Sequence, residues 1–185
     1  TQNIPIQINS MVTPDVSLST SVSLICPGTS HQVTATPTNG GRFPSYTWYL
    51  DNAVVTGSGN TYVTSSSLAP GPHSIYVVMG TSAPCPTKLT DISGPVTITV
   101  NRAPQVNVSD GFTLTLPENS AILNATVTDP DGTTPAVSWS KVTGGNSSMS
   151  NPAAATLSVS NLQGGNYTFR LTATDNCTSV YDDVA

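Results

Sequence analysis

The side chains that could ligate a metal, move a proton or attack a carbonyl are sparse in these 185 residues. They are nine Asp, Glu118, His31, His73 and the cysteines Cys26, Cys85 and Cys177, set among abundant Ser and Thr. Acyl-transfer enzymes commonly hold their serine in a Gly-x-Ser-x-Gly turn, and no such run occurs. A glycosidase needs two carboxylates across a cleft, and the first half offers only Asp15, Asp51 and Asp91 at scattered positions. Zinc needs spaced His and Cys ligands, and none appear. The chain therefore reads as a non-enzyme. Carboxylates concentrate after residue 101, notably in Asp129-Pro130-Asp131-Gly132 and at Asp175. Joined by an amide such as Asn101, these suit a hard, oxygen-seeking cation such as Ca²⁺. Asp-Pro-Asp-Gly is equally a type I turn, with Asp first, Pro second and Gly fourth.

The elements that would position these residues are strands. Charged residues are only 8% of the chain, Pro and Gly number 15 and 14, and Thr, Ser and Val are frequent. Such a composition suits many short strands separated by turns. Ile4, Ile6 and Ile8 alternate with polar or turn residues. So do Val33 and Ala35, then Tyr46, Trp48 and Leu50, then Ile75, Val77 and Met79, and finally Val96, Ile98 and Val100. This is the period of strands with one face buried. Five Lys/Arg against ten Asp/Glu exclude an electrostatic nucleic-acid binder. No apolar run nears the ~18 residues that span a bilayer, so membrane insertion is not expected.

The pattern then restarts. Trp48 and Trp139 both lie on alternating stretches. Leu68-Ala-Pro-Gly71-Pro-His73-Ser-Ile75-Tyr-Val77 is matched, spacing for spacing, by Leu162-Gln-Gly-Gly165-Asn-Tyr167-Thr-Phe169-Arg-Leu171. A repeat of roughly 90 residues is the size of one immunoglobulin-like sandwich. The fold class expected is all-β, two tandem immunoglobulin-like β-sandwiches. Leu-x-x-Gly-x-Tyr fits the tyrosine corner of such sandwiches, with His73 in that place in the first repeat. Trp48 and Trp139 are expected in the cores. Tyr49, Tyr62, Tyr76 and Tyr181 fall off the expected core face and are the candidates for a sugar-stacking surface.

Residues 11–101 form the first expected domain and 102–185 the second, with Asn101-Arg-Ala-Pro104 as linker. Ile4-Pro-Ile-Gln-Ile8-Asn9 mirrors Val96-Thr-Ile-Thr-Val100-Asn101, so residues 1–10 read as the last strand of a preceding repeat or an N-terminal extension. Residues 102–185 read as lacking their own last strand, which would expose an unpaired edge. The chain also starts at Thr1 without a leader, so it is expected to be a mature product or a piece of a longer tandem array. Residues 4–9 are expected to pair with another molecule or lie against a sheet edge.

In a seven-strand sandwich the entry to the first strand, the B–C loop and the F–G loop share one pole. Asn101, Asp129, Asp131 and Asp175 are expected to meet there as a Ca²⁺ site. Cys26–Cys85 is the natural disulfide within the first domain, and closing its long loop would contribute ~2–4 kcal/mol. Those two positions lie nominally at opposite poles, so Thr81–Ser93 would have to double back. Cys177 is left free or paired outside these residues.

Cys26-Pro-Gly-Thr-Ser30, Val33-Thr-Ala-Thr-Pro-Thr-Asn-Gly-Gly41 and Tyr46-Thr-Trp48 resemble the PKD-like repeats of Bacteroidetes surface proteins over roughly residues 16–100. Residues 104–185 resemble another PKD-type branch through Asp129-Pro-Asp-Gly132, Val137-Ser-Trp139 and Tyr167-Thr-Phe-Arg-Leu-Thr-Ala-Thr-Asp175. The Trp-Asp-Phe-Gly-Asp-Gly hallmark of the commonest members is absent. The resemblance implies non-catalytic modules of secreted or outer-surface proteins, among them adhesion giants and multidomain polysaccharide hydrolases. It also implies calcium at the aspartate positions. The function expected is an adhesion or spacer module, stiffened at its interdomain junction. The alternative is a carbohydrate-binding or accessory module of a polysaccharide hydrolase. The expected partners are neighbouring repeats, surface polysaccharide or another cell-surface protein.

Overall fold

The computed structural model describes residues 8–185, and every regular element among them is a strand. The chain divides into two compact units, Thr1–Val100 and Asn101–Ala185. The first holds β1 (Asp15–Ser19), β2 (Leu24–Ile25), β3 (Gln32–Thr38), β4 (Ser45–Leu50), β5 (Ala53–Val55), β6 (Thr61–Val63), β7 (Gly71–Gly80), β8 (Thr90–Ile92) and β9 (Val96–Val100). One sheet runs β1-β3-β6. The other runs β2-β9-β7-β4-β5, with β8 also on β7.

The alternation read from the sequence decides the packing. Along β7 the side chains of Ile75, Val77 and Met79 are wholly buried, while Ser74, Tyr76 and Val78 lie on the other face. Val33 and Ala35 of β3, Trp48 of β4, and Ile98 and Val100 of β9 close the same core. Burying each large apolar side chain contributes about 1.5–3 kcal/mol.

The second unit holds β10 (Gln105–Val108), β11 (Ala121–Thr128), β12 (Ala136–Thr143), β13 (Ser148–Ser150), β14 (Thr156–Ser160), β15 (Thr168–Thr174) and β16 (Ser179–Val184). Its sheets run β10-β11-β14-β13 and β12-β15-β16. Val108, Leu123, Trp139, Leu157, Val159, Phe169, Leu171 and Val184 form its core. The two units share one plan, with Trp48 and Trp139 on equivalent strands against β7 and β15. The fold class expected from the sequence, two immunoglobulin-like β-sandwiches, is the one observed.

The expectation that the second sandwich lacks its last strand needs correction. β16 pairs with β15 over six residues, from Phe169↔Val184 to Thr174↔Ser179. The chain crosses between them in the turn Asp175–Thr178. The first unit takes the longer excursion Thr81–Leu89 before β8 returns to β7. The shorter turn of the second unit lets its last strand begin at Ser179. Of the segment expected to pair as a strand, residues 4–7 lie outside the described residues. Ile8 has no strand partner and is 90% exposed.

Candidate functional site

The fold brings the predicted aspartates of the second unit to one pole. Asn101 is buried, at 1% exposure, and its Nδ2 donates to Asp175 Oδ2 at 2.8 Å and to the Arg102 carbonyl at 3.1 Å. The Arg102 amide donates to Asp131 Oδ2 at 2.5 Å. Asp129 Oδ1 accepts the Asp131 amide at 2.7 Å, Asp129 Oδ2 accepts the Thr133 hydroxyl, and the Gly132 amide reaches the Asp129 carbonyl at 3.1 Å. That last bond closes the turn foreseen for Asp-Pro-Asp-Gly, with Gly132 at φ 79°. Asp175 Oδ1 accepts the amides of Cys177 and Thr178 at 2.7 and 2.6 Å and so shapes the β15–β16 turn. Burial opposes ionisation of Asp175. The Asn101 amide and the Cys177 and Thr178 donors outweigh it and hold this carboxyl below the ordinary range.

This donor set suits N–H groups better than a cation. Calcium asks for several oxygens converging on one point. Here the carboxylates face backbone amides, hydroxyls and the Asn101 NH₂. Among the described residues no group of three or more His, Cys, Asp or Glu is placed to hold a metal ion. Asn101 Oδ1 is buried there without a hydrogen-bond partner. The pole as built is a clamp that fixes the entry to β10 against the β11–β12 loop and the β15–β16 turn. At the equivalent pole of the first unit the clamp is neutral. Asn39, at φ 53°, donates from Nδ2 to the Thr13 carbonyl at 2.9 Å, and the Thr81 hydroxyl donates to the Asn39 carbonyl at 3.1 Å.

A second pair of carboxylates does matching work and escaped the sequence reading. The Val16 amide donates to Asp91 Oδ2 at 2.8 Å, and the Val108 amide to Asp182 Oδ2 at 2.9 Å. Each bond ties the first strand of a sandwich to the strand edge opposite. The near-equal separations, 75 and 74 residues, are the sequence signal that could have found them.

The two corners repeat with altered chemistry. The Tyr167 hydroxyl accepts the Gln163 amide at 2.9 Å and donates to the Asn146 carbonyl at 3.3 Å. Gly144, at φ 112°, leaves room for that ring, since a Cβ there would fall 2.3 Å from it. In the first unit His73 Nε2 meets the Ala69 carbonyl at 2.8 Å and Nδ1 meets Asp51 Oδ2 at 2.7 Å. Asp51 and Asn52, at φ 50° and 68°, make the two-residue hairpin turn between β4 and β5. The Ala69 carbonyl, then the Asp51 hydrogen bond and charge, hold the His73 imidazolium above the usual histidine range against the effect of burial. Burial likewise opposes ionisation of Asp51. The His73 bond, the Ser74 amide and the His73 charge outweigh it and hold Asp51 low.

Both Trp residues and most of the candidate tyrosines are engaged within the fold. Trp48 and Trp139 are core residues, and their indole N–H groups donate to the carbonyls of Gly59 and Ala154 at 3.1 and 3.0 Å. Tyr62 is buried and stacks on Trp48, so it leaves the surface set expected from the sequence. Tyr49 and Tyr76 stack on each other at 4.6 Å. The exposed Tyr181 carries the Arg170 guanidinium over its ring at 3.6 Å.

The cysteine assignment is corrected. Cys26 and Cys177 are disulfide-bonded, and Cys85 is a free, exposed thiol. The reason is the length of β7. Cys26 follows β2, whose Ile25 pairs with Val100 opposite the Gly71 end of β7. Cys85 lies past the Gly80 end, where its carbonyl accepts the Val12 amide at 3.2 Å. Ten extended residues separate the two ends by about 30 Å, far beyond the reach of a disulfide.

These features define tandem immunoglobulin-like sandwiches whose polar residues brace loops and strand entries. Residues 108–185 match the family model described as "K319L-like, PKD domain". Among solved structures the chain is similar to an I-band fragment of titin, at 17% identity and a TM-score of 0.52, covering 93% of this chain and 62% of that one. It is also similar to extracellular domains 3–5 of Drosophila OTK, at 16% identity and a TM-score of 0.36, covering 88% and 61%. A third similarity is to the fibronectin(III)-like modules of Clostridium thermocellum CbhA, at 16% identity and a TM-score of 0.40, covering 91% and 92%. The chain spans about three fifths of the length of the titin and OTK fragments. No curated protein matches it.

Proposed function

We propose that this chain is a non-catalytic spacer and adhesion module of an extracellular protein. The observation that carries the reading is where the reactive side chains are used. Asp51 and His73 brace a corner, Asp91 and Asp182 hold first strands, and Asp129, Asp131 and Asp175 tie loops at a pole. Both Trp indoles are turned inward. The chain is rich in Ser and Thr and low in charge, and its surface also carries apolar side chains such as Phe43, Val54 and Leu89. The disulfide-bonded Cys26 and Cys177 support a chain that matures in an oxidising compartment. The PKD-type match of the second unit and the repeat-type sequence of the first support a tandem array on a secreted or surface protein.

The test is a pull-down of the full chain on a panel of insoluble polysaccharides, run with calcium and with chelator. The spacer reading expects no retention in either condition. Specific retention on one polysaccharide would replace it with the carbohydrate-binding reading, and the stacked Tyr49–Tyr76 pair would be the first residues to substitute.

A further inference from the structure

The internal repeat supplies its own control for one surface, the outer face of β4, β7 and their neighbours in the first unit. Two cross-strand rows stand there. Val54, Tyr49 and Tyr76 lie side by side across β5, β4 and β7, and Thr47, Val78 and Ile92 across β4, β7 and β8. Val54 and Ile92 are 66% and 64% exposed, and Tyr49, Tyr76 and Val78 are half-buried. No Asp, Glu, Lys or Arg interrupts either row. At the matching register of the second unit Ser140 pairs with Arg170 and Arg170 with Asp183, while Ser138 pairs with Thr172 and Thr172 with Tyr181. Arg170 is ion-paired to Asp183 and lies over the Tyr181 ring. One plan thus carries a polar, charged face in the second unit and an apolar face in the first. Folding the sandwich does not require the apolar version, and an exposed apolar patch that folding does not require marks a contact surface.

We propose that this face of the first unit packs against the same face of a second copy of the chain. Its chemistry selects that occupant. The chain has a net charge of −5, so two copies repel except where their surfaces are free of charge, and this face is. A sugar fits it less well. The Tyr49 and Tyr76 planes lie 4° apart, stacked across two strands. The rings therefore stand on edge to the sheet and turn their faces on each other instead of offering a flat platform. Ring edges, Val and Ile suit a second pleated apolar face, packed ~10 Å away as in the core of a sandwich. The contact is isologous and closes as a two-fold dimer. Four strands ~4.8 Å apart and two rows ~6.6 Å apart make a patch of roughly 300 Å² per copy, against about 800 Å² per partner in a stable complex. The dimer is therefore weak, and forms where copies are concentrated or held side by side. This holds whether or not the module binds a polysaccharide elsewhere on its surface.

The test is sedimentation velocity of the full chain from micromolar to millimolar concentration. It is run on a Cys85→Ser background, so that the exposed thiol cannot link molecules. Expected is a monomer–dimer equilibrium that shifts to dimer with concentration and goes no further. Tyr49→Ser/Tyr76→Arg places the second unit's own side chains on this face and should leave the chain monomeric throughout. That variant should also fail to pair with the unsubstituted face, because an isologous contact needs the face on both copies. Methyl NMR of the chain with its face intact, over the same concentrations, gives a reading that does not depend on the variant folding. The Val54, Val78 and Ile92 methyl signals should shift with concentration, while those of Val63 and Ile122, exposed on other sheets, should stay. A monomer at every concentration, assemblies larger than dimers, association that survives Tyr49→Ser/Tyr76→Arg, or shifts that map to Val63 or Ile122 would overturn the proposal.

Discussion

His73 and Tyr167 solve the same corner with opposite hydrogen-bond polarity. The tyrosine hydroxyl accepts a backbone amide four residues back, whereas the imidazole gives its Nε2–H to the carbonyl at that spacing. With Asp51 on Nδ1, both ring nitrogens face acceptors, which favours the charged form. The folded pKa of His73 lies above its unfolded value, so its contribution is fully present below about 6.5 and is lost as pH rises through the folded value. The depressed Asp51 works the other way, contributing above its unfolded value and losing this as pH falls through the folded one. The melting temperature of the native chain should therefore exceed that of His73→Gln most near pH 5.5. The gap should narrow by about 2 °C toward pH 9, a small effect because Asp51 is 49% exposed and solvent screens the pair. A gap that stays constant from pH 5.5 to 9 would mean a neutral imidazole. At the aspartate pole, Asp175→Ala removes the acceptor for two amides and for the buried Asn101, and should destabilise by about 1–3 kcal/mol. Denaturant melts should show the same loss in calcium and in chelator. A loss confined to calcium would restore a cation to this pole.

At the scale of elements, the carboxylate of Asp182 does for β10 what Asp91 does for β1. Asp182→Ala leaves the Val108 amide without its partner in a partly buried place and should cost about 1–2 kcal/mol. Hydrogen exchange should locate the effect, with faster exchange of the β10 amides and little change in β12. Uniform acceleration through the second unit would instead mark Asp182 as part of the folding core. The strands themselves were legible in the sequence because alternation is set by the pleat and the buried face, and Ile75-Val77-Met79 and Phe169-Leu171-Ala173 read alike. The Leu-x-x-Gly-x-Tyr/His spacing likewise located both corners. Three things were less legible. The Asp175–Thr178 turn hid β16, because turn length is a local choice that the companion repeat did not share. Tyr62 sits between the half-buried Thr61 and the exposed Val63 on the three-residue β6, too short for its face to be read from alternation. Asp91 and Asp182 act on main-chain amides some 75 residues away, and a carboxylate that meets a backbone group has no complementary side chain to betray it.

At the scale of the whole molecule, the cysteines give the most direct check on how the chain is threaded. The sequence favoured Cys26–Cys85 because both fall within one repeat, but sequence proximity is not spatial proximity when a ten-residue strand lies between the two ends. The structure leaves Cys85 as the free thiol, exposed beyond the Gly80 end of β7, at a left-handed φ of 54°. One consequence is stoichiometric. Without reductant or denaturant, a thiol reagent should titrate one group per chain, and peptide mapping should place the label on Cys85. Unfolding without reduction should release no further thiol, and reduction should expose Cys26 and Cys177. Cys85→Ser should abolish the native titration and leave the melting temperature within about 1 °C, since an exposed side chain contributes little packing. Recovery of a Cys26–Cys85 peptide, or a native label on Cys177, would contradict the threading of β2 along β9 that places Cys26 at the far end of the sandwich.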